Sequence, residues 1–328
     1  MSRWLEEEKL HQVEFKQDSA YFSEAARHDG VYKHKPRPFC LPHTCAQENL
    51  WSEIRQPTVA YFDQYEIKWH DGQARRPSNH LCDSQVCCVN FLFPFADKPA
   101  ALDTLLRRVY PALVQMLPVE NGQYVAHEWI GQQNYLGEKI ARNGQRTRGA
   151  NFTSADAAVM FQRRDGKRHI VLIEWKYTES YGSTPLRYAK SGTDRLTIYA
   201  PLLKRADCQI KREALPAWDA LFFEPFYQLM RQQLLAHEME LARELDAEVV
   251  SVLHIAPAHN RDFQKVTSPA LRGFGDSATQ VWKRLLRAPD RFISVSTEEL
   301  FGRFEQAAFS ELEAWWRYLS ARYRWLNT

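Results

Sequence analysis

The sequence predicts an α/β fold, a central sheet flanked by helices, and three observations predict it. Residues 157–161 and 170–173 are apolar runs either side of a polar segment centred on Asp165-Gly166. That is a β-hairpin pattern, because Asp-Gly accepts the positive φ of a tight turn. Ahead of it, Ala101, Leu102, Leu105, Leu106, Val109 and Leu113 recur at helical spacing. Behind it, a second helical stripe (Phe226, Leu229, Met230, Leu234, Leu241) leads into 247–256, an apolar run that reads as a buried strand. Helices alternating with strands in this order give helices packed on a sheet.

Composition sets the limits. The chain has 328 residues, 45% of them hydrophobic, enough for a substantial core. Aromatics make up 13%, with ten Trp, so large packing contacts or an aromatic surface are expected. Charge is uneven. Between Lys139 and Arg212 sixteen Lys or Arg face six Asp or Glu, a local excess of +10 that leaves −7 for the rest of a chain of formal charge +3. A basic segment around the hairpin suits a groove that tracks phosphates. Arg163, Arg164, Lys167 and Arg168 would equally serve to solvate the hairpin tip. The N-terminus lacks the apolar region of a signal peptide, and no run nears the roughly 18 apolar residues of a membrane helix. A cytoplasmic protein with no membrane partner is expected. Six Cys in this length are no disulfide scaffold.

Residues 1–98 read as an extension that packs on a core formed by 99–328. Their pattern is irregular, with short apolar clusters at Leu50-Trp51, Ile54 and 59–62 that suit helical turns. Cys40, His43, Cys45, His80, Cys82, Cys87 and Cys88 include zinc-ligand types, but their spacing is not that of a standard finger. Buried free thiols are expected here rather than structural Zn²⁺. A buried helix begins near Asp83 or Ser84.

After the helix at 99–113, Asn121-Gly122 supplies a turn and 123–130 alternates as a strand. Glu128 on that strand, or Glu138 beyond it, could reach the hairpin as a further acid. Residues 141–149 form a basic loop suited to a phosphate backbone. Asp156 then opens the first hairpin strand, and Glu174 and Lys176 close the second. Alternation points Glu174 and Lys176 one way and Trp175 the other. Pairing around the turn brings Asp156 and Glu174 together, and each disfavours ionisation of the other. A divalent cation relieves that repulsion. Oxygen ligands suit Mg²⁺, which is held by one or two carboxylates plus substrate phosphate. Lys176 could contact phosphate or water.

Ser183-Thr184-Pro185 reads as a helix start, a hydroxyl cap with Pro at the first position, and 223–225 as a second. Gln228, Arg231 and Gln232 lie off the centre of the following apolar stripe, and Arg231 could bind phosphate. His254 reads as a core histidine, while 259–262 could face a cleft. A helix near 276–287, a strand at 291–295 and a terminal helix complete the chain. Trp315, Trp316, Tyr318, Tyr323 and Trp325 could stack on bases, but packing of that helix explains them better. There is no Gly-x₄-Gly-Lys-Ser/Thr phosphate loop.

An Asp followed eighteen residues later by Glu-x-Lys, here Asp156 and Glu174-Trp175-Lys176, at the ends of paired strands resembles the PD-(D/E)XK nuclease superfamily, the restriction-endonuclease-like fold. Ala155 stands where a Pro is common. The run 173–179, with Tyr177 and Glu179 after the lysine, and Ser84, Gln85, Cys88 and Asn90 are similar to segments of a bacterial group within that superfamily. The resemblance implies an αβββαβ core with a mixed central sheet, plus the N-terminal extension and C-terminal helices. It implies a Glu on the first strand, which favours Glu128, and a polar residue, often Gln, on the helix after the Glu-x-Lys strand, which favours Gln228. It further implies Mg²⁺, with Mn²⁺ as substitute, held by Asp156 and Glu174. The expected activity is hydrolysis of DNA to leave 5′-phosphates, as in a restriction-type endonuclease. A homodimer would be consistent with it. The alternative is an inactive nucleic-acid-binding protein on the same fold.

Overall fold

The computed structural model describes residues 2–139, 144–150 and 152–327. It begins with helix α1 (Arg3–Asp18), capped by the Ser2 side chain, which accepts from Leu5 N. A small antiparallel hairpin follows, β1 (Gly30–Tyr32) and β2 (Lys35–Arg37), then α2 (Arg55–Gln64) and α3 (Ser84–Leu92). Asp83 caps α3, its side chain accepting from Val86 N at 2.8 Å.

The central sheet grows from α4 (Pro99–Leu106), β3 (Leu113–Leu117), β4 (Ala126–Trp129), β5 (Ala155–Arg163) and β6 (Arg168–Trp175). After β6 come α5 (Leu196–Leu203), α6 (Phe226–Ala242), β7 (Val249–Ala256), α7 (Ala278–Leu285), β8 (Phe292–Ser296), α8 (Thr297–Phe301) and α9 (Glu313–Arg322). Strand order is β3-β5-β6-β7-β8, with β4 also on β5. β3 and β4 pair antiparallel with successive lengths of the same β5 edge, so they act as one interrupted strand. β5 and β6 are antiparallel, while β6–β7 and β7–β8 are parallel, which makes the sheet mixed. This is the helix, three strands, helix, strand arrangement of a restriction-endonuclease-like core.

Side-chain alternation divides the buried residues of β6 between two cores. Val171, Ile173 and Trp175 join a cluster with Phe91, Phe301, Trp315 and the N-terminal Trp4 and Phe15. Ile170 and Leu172 join the cluster built around Met230, Leu234 and Trp282. The α6 face is therefore also where Glu174 and Lys176 emerge. β7 is buried along its whole length, as a central parallel strand must be.

Several expectations require correction. α1 was not legible as a helix. The predicted 99–113 helix ends at Leu106, and Leu113 opens β3 instead. Pro111 disfavours helical backbone at Tyr110, which suits the break. No helix starts at Ser183; the Ser183 hydroxyl donates to Thr267 O, and the next helix is α5. Leu241, expected on the apolar stripe of α6, is 51% exposed. Trp315, Tyr318, Tyr323 and Trp325, by contrast, are buried, as the packing reading of the terminal helix expects. Among the described residues no helix is long and apolar enough to cross a membrane.

Candidate active site

The hairpin register pairs Ala157 with Ile173. One residue further out, Asp156 and Glu174 stand opposite each other on the α6 face, with Lys176 two residues beyond. Asp156 Oδ2 accepts from Trp175 N at 2.7 Å, and Lys176 Nζ donates to Glu174 Oε1 at 2.6 Å. Both side chains of the Lys176–Glu174 pair are only 6% exposed. From α6, Gln232 Nε2 donates to Glu174 Oε2 at 2.8 Å and to Ser154 O at 2.5 Å. The second carboxylate oxygen of Glu174 is thereby fixed.

Glu128 approaches from β4. Its backbone takes φ +50°, uncommon for a residue with a side chain. Its Oε1 accepts from Gln85 Nε2 at 2.6 Å and its Oε2 from the Ser154 hydroxyl at 2.7 Å. His70 Nε2 lies 3.6 Å from Oε1. The resulting cleft, of about 300 Å³, is lined by His70, Gln85, Asp156, Glu174, Lys176 and Arg231 among others.

Burial, then the Glu174 charge, hold the Asp156 carboxyl well above its ordinary value, with Glu128 adding to the rise and Lys176 opposing it. Burial also works against the Lys176 ammonium, but Glu174 and the neighbouring acids outweigh it and raise that group well above its usual range. Asp156, Glu174 and Glu128 thus share one buried region with a single lysine. The Oε1 of Gln232 is buried there with no hydrogen-bond partner among the described residues. Surplus negative charge and oxygen donors fit a hard divalent cation. Among the described residues no three His, Cys, Asp or Glu groups form a metal-ligand cluster. A cation here would rest on Asp156 and Glu174 and complete its shell with water and substrate oxygens, as Mg²⁺ does.

The remaining predicted residues fall in different places. Gln228 lines the cleft, but its Oε1 accepts from the Tyr181 hydroxyl at 3.2 Å; Gln232, one turn further on, is the α6 glutamine that reaches Glu174. The two share one helical face, so spacing alone did not separate them. Arg231 lines the cleft and closes no ion pair among the described residues. Glu138 does not line the cleft: it accepts from Thr153 N and Oγ1, both at 2.7 Å, and from the Tyr199 hydroxyl at 2.8 Å. It braces the loop into β5.

In the basic loop, Ala141, Arg142 and Asn143 lie outside the described residues. Arg146 donates to Ile130 O at 2.6 Å, and Arg148 pairs with Glu120 at 2.9 Å and donates to Glu128 O at 3.2 Å. Those two arginines secure β4. The cations at the Asp165-Gly166 tip occupy the far end of the hairpin, about 23 Å from the carboxylates at ~3.3 Å per residue. They do not line this cleft. Asn260 braces the exit from β6 by donating to Tyr177 O and Glu179 O, at 3.0 and 2.9 Å. His254 is buried, with Nδ1 3.1 Å from Ser294 Oγ. The six cysteines are free thiols; His80 Nδ1 accepts from Cys82 N at 3.0 Å.

Sequence reasoning gave no functional role to Gln85, Ser154 or His70, and ranked Gln232 behind Gln228. Only the resemblance at 84–90 pointed toward Gln85.

Comparison with curated proteins and with solved structures gave no match. One family model, described as restriction endonuclease associating with ARP, matches residues 9–324, nearly the whole chain, and the chain belongs to that family.

Proposed function

We propose that the cleft hydrolyses phosphodiester bonds of DNA with the help of Mg²⁺, or of Mn²⁺ in its place, held by Asp156 and Glu174. The observation that carries this reading is the meeting of those two carboxylates at one end of a hairpin, with Lys176 Nζ 2.6 Å from Glu174. Membership of a restriction-endonuclease family supports a nuclease. When bound, the cation would supply Lewis acidity, lowering the pKa of water and countering charge on the phosphate.

The protein's own groups divide the remaining tasks. Lys176, fixed by Glu174, orients the attacking water or offsets the charge that develops on the phosphate. Gln232 holds Glu174 in one rotamer, and Gln85 and Ser154 do the same for Glu128. Arg231 is placed to receive a phosphate oxygen. In-line attack by water with loss of the 3′ oxygen leaves a 5′-phosphate.

The test is cleavage of linear and supercoiled DNA in Mg²⁺ by the wild type and by Asp156→Asn and Glu174→Gln. Cleavage should vanish in EDTA and fall by about 10²–10³-fold in both variants, the scale of a lost electrostatic group at a reacting centre. Undiminished cleavage by either variant removes the assigned role. Salt-dependent DNA binding by a wild type that never cuts would select the binding-only reading.

A further inference from the structure

In-line hydrolysis in the cleft leaves one task without a residue. As water attacks phosphorus, the bond to the 3′ oxygen breaks and its electron pair stays on that oxygen, which then needs a proton. The attacking and leaving oxygens lie roughly in line through phosphorus, so the group that serves the leaving oxygen stands apart from the one that attends the water. The groups lining the cleft leave one such donor. Asp156 and Glu174 are the cation's ligands in this reading, and Lys176 Nζ is tied to Glu174 Oε1 at 2.6 Å. The Arg231 guanidinium does not give up its proton. Glu179 accepts from Tyr177 N at 2.6 Å, and the hydroxyls of Ser84 and Ser154 donate to Trp175 O and to Glu128. His70 remains, and histidine is the side chain that exchanges a proton near neutral pH.

The position of His70 is built. His70 N donates to Gln85 Oε1 at 2.8 Å, while Gln85 Nε2 donates to Glu128 Oε1 at 2.6 Å and to Lys68 O at 3.1 Å. One buried amide thus fixes both the backbone of His70 and the carboxylate beside its ring. The ring itself is open: the side chain is 47% exposed, and its Nε2 stands 3.6 Å from Glu128 Oε1, too far for a hydrogen bond. From there a series of contacts crosses the site. Glu128 Oε2 accepts from the Ser154 hydroxyl, and Ser154 O accepts from Gln232 Nε2. Gln232 Nε2 also donates to Glu174 Oε2, and Glu174 holds Lys176. His70 and Lys176 are the two ends of this series, with Glu174 between them.

Resting on the nuclease reading of this cleft, we infer that His70 is the general acid of the reaction, and that its imidazolium gives a proton to the departing 3′ oxygen. Lys176, at the other end of the series, stays with the attacking water. The attacking water releases one proton to solvent as its oxygen bonds to phosphorus, and the neutral imidazole takes one back from solvent afterwards. The sum is one phosphodiester and one water converted to a 3′-hydroxyl and a 5′-phosphate. The proton passes directly or through one bridging water, as general acids allow. His70 lies in the first 98 residues, so the N-terminal segment supplies a reacting group as well as supports.

The experiment compares two linkages at a position where the full-length wild type cuts a DNA duplex: the natural 3′ oxygen, and a 3′ sulfur bridging the same two atoms. A thiolate is the better leaving group and departs without a proton, so sulfur removes the need for an acid. Mn²⁺ is the ion for both. His70→Asn and His70→Gln should cut the oxygen linkage about 10²–10⁴-fold more slowly than the wild type, the usual worth of a general acid. The same variants should cut the sulfur linkage at nearly the wild-type rate, and should keep the wild-type melting temperature and DNA affinity in EDTA. A residue that only bound phosphate or braced the fold would affect both linkages alike. An equal loss on both linkages therefore overturns the inference, as does an undiminished rate on the oxygen linkage, and either result leaves the nuclease reading standing. A wild type that cuts no DNA removes the nuclease reading and this inference with it.

Discussion

Replacing Lys176 by Met tests whether the acids share one electrostatic environment. The ammonium sits 2.6 Å from Glu174 Oε1, with both side chains 6% exposed, and it offsets Asp156 as well. Met keeps the length of the side chain and removes the charge. Breaking a buried pair on one side costs about 3–5 kcal/mol. With an unfolding entropy of about 2.1 cal/mol/K per residue, that lowers the melting temperature by roughly 4–7 °C for a chain of this length. The loss must depend on pH. Asp156 has its folded pKa raised above the ordinary 3.8, so from that value upward the folded chain holds a proton the unfolded chain has released, and stability falls as pH rises. Lys176 is also raised, above 10.5, so its contribution is fully present below that value and constant between pH 5 and 8. Any difference between variant and wild type in that interval belongs to the carboxyl groups together with His254, whose imidazole is held down to about 3 by burial and then by the Lys176 charge. The variant, with nothing to offset the acids, should lie several degrees closer to the wild type at pH 5 than at pH 8. Millimolar Mg²⁺ should narrow the gap at pH 8, since a ligand at a hundredfold its Kd adds about 2.7 kcal/mol. Differential scanning fluorimetry at both pH values reads all of this. A gap that is the same at pH 5 and pH 8 would refute the clustering of the acids.

Arg231→Gln should reduce kcat/KM for DNA cleavage by about 10–100-fold, the worth of one charge-assisted contact of ~1.5–3 kcal/mol, while the melting temperature stays near that of the wild type. Gln85→Leu removes the bond that orients Glu128 beside the two carboxylates and should lower cleavage about tenfold, with retained DNA affinity measured by anisotropy. Arg322 is 1% exposed and donates to Gln12 Oε1, Leu81 O and two oxygens of Asn49. Arg322→Met leaves three of these acceptors, Gln12 Oε1, Leu81 O and Asn49 Oδ1, without that donor at about 1 kcal/mol or more each, while Asn49 O keeps the Asn90 amide. Urea unfolding should show a loss of that order, with kcat of the remaining folded enzyme unaltered.

The hairpin was legible because two signals agree there: apolar runs of strand length and an Asp-Gly turn, with Gly166 at φ +81°. The β7 strand and α6 were legible for similar reasons, a long apolar run in one and helical spacing in the other. α1 was not, and its burial explains why. Its inward face presents Glu8, Gln12 and Lys16 beside Trp4 and Phe15, so no apolar stripe marks it. Each of those polar groups is satisfied by a distant partner: Glu8 by the Tyr177 hydroxyl at 2.6 Å, Gln12 by Arg322, Lys16 by His28 O at 3.2 Å. A pattern that depends on partners far along the chain cannot be read from a local window. The same holds for Gln232. Its helical position was visible, but only the sheet shows that it, and not Gln228, faces Glu174.

The supports of Glu128 fall on both sides of the boundary expected at residue 98. β4 pairs with β5 at only three positions, and Glu128 falls between them with left-handed backbone. Such a conformation persists only where the surroundings fix it. Here several groups do so. Arg148 donates to Glu128 O, the Tyr61 hydroxyl accepts from His127 N at 2.9 Å, and Gln85 and Ser154 hold the carboxylate. Tyr61 and Gln85 belong to the first 98 residues, while Arg148 and Ser154 belong to the remainder. A boundary at residue 98 therefore separates Glu128 from half of its supports. The sheet brings Asp156, Glu174 and Lys176 together by itself. Glu128 instead takes its position from α2 and α3 together with Arg148 and Ser154, so the N-terminal segment helps to build the candidate site.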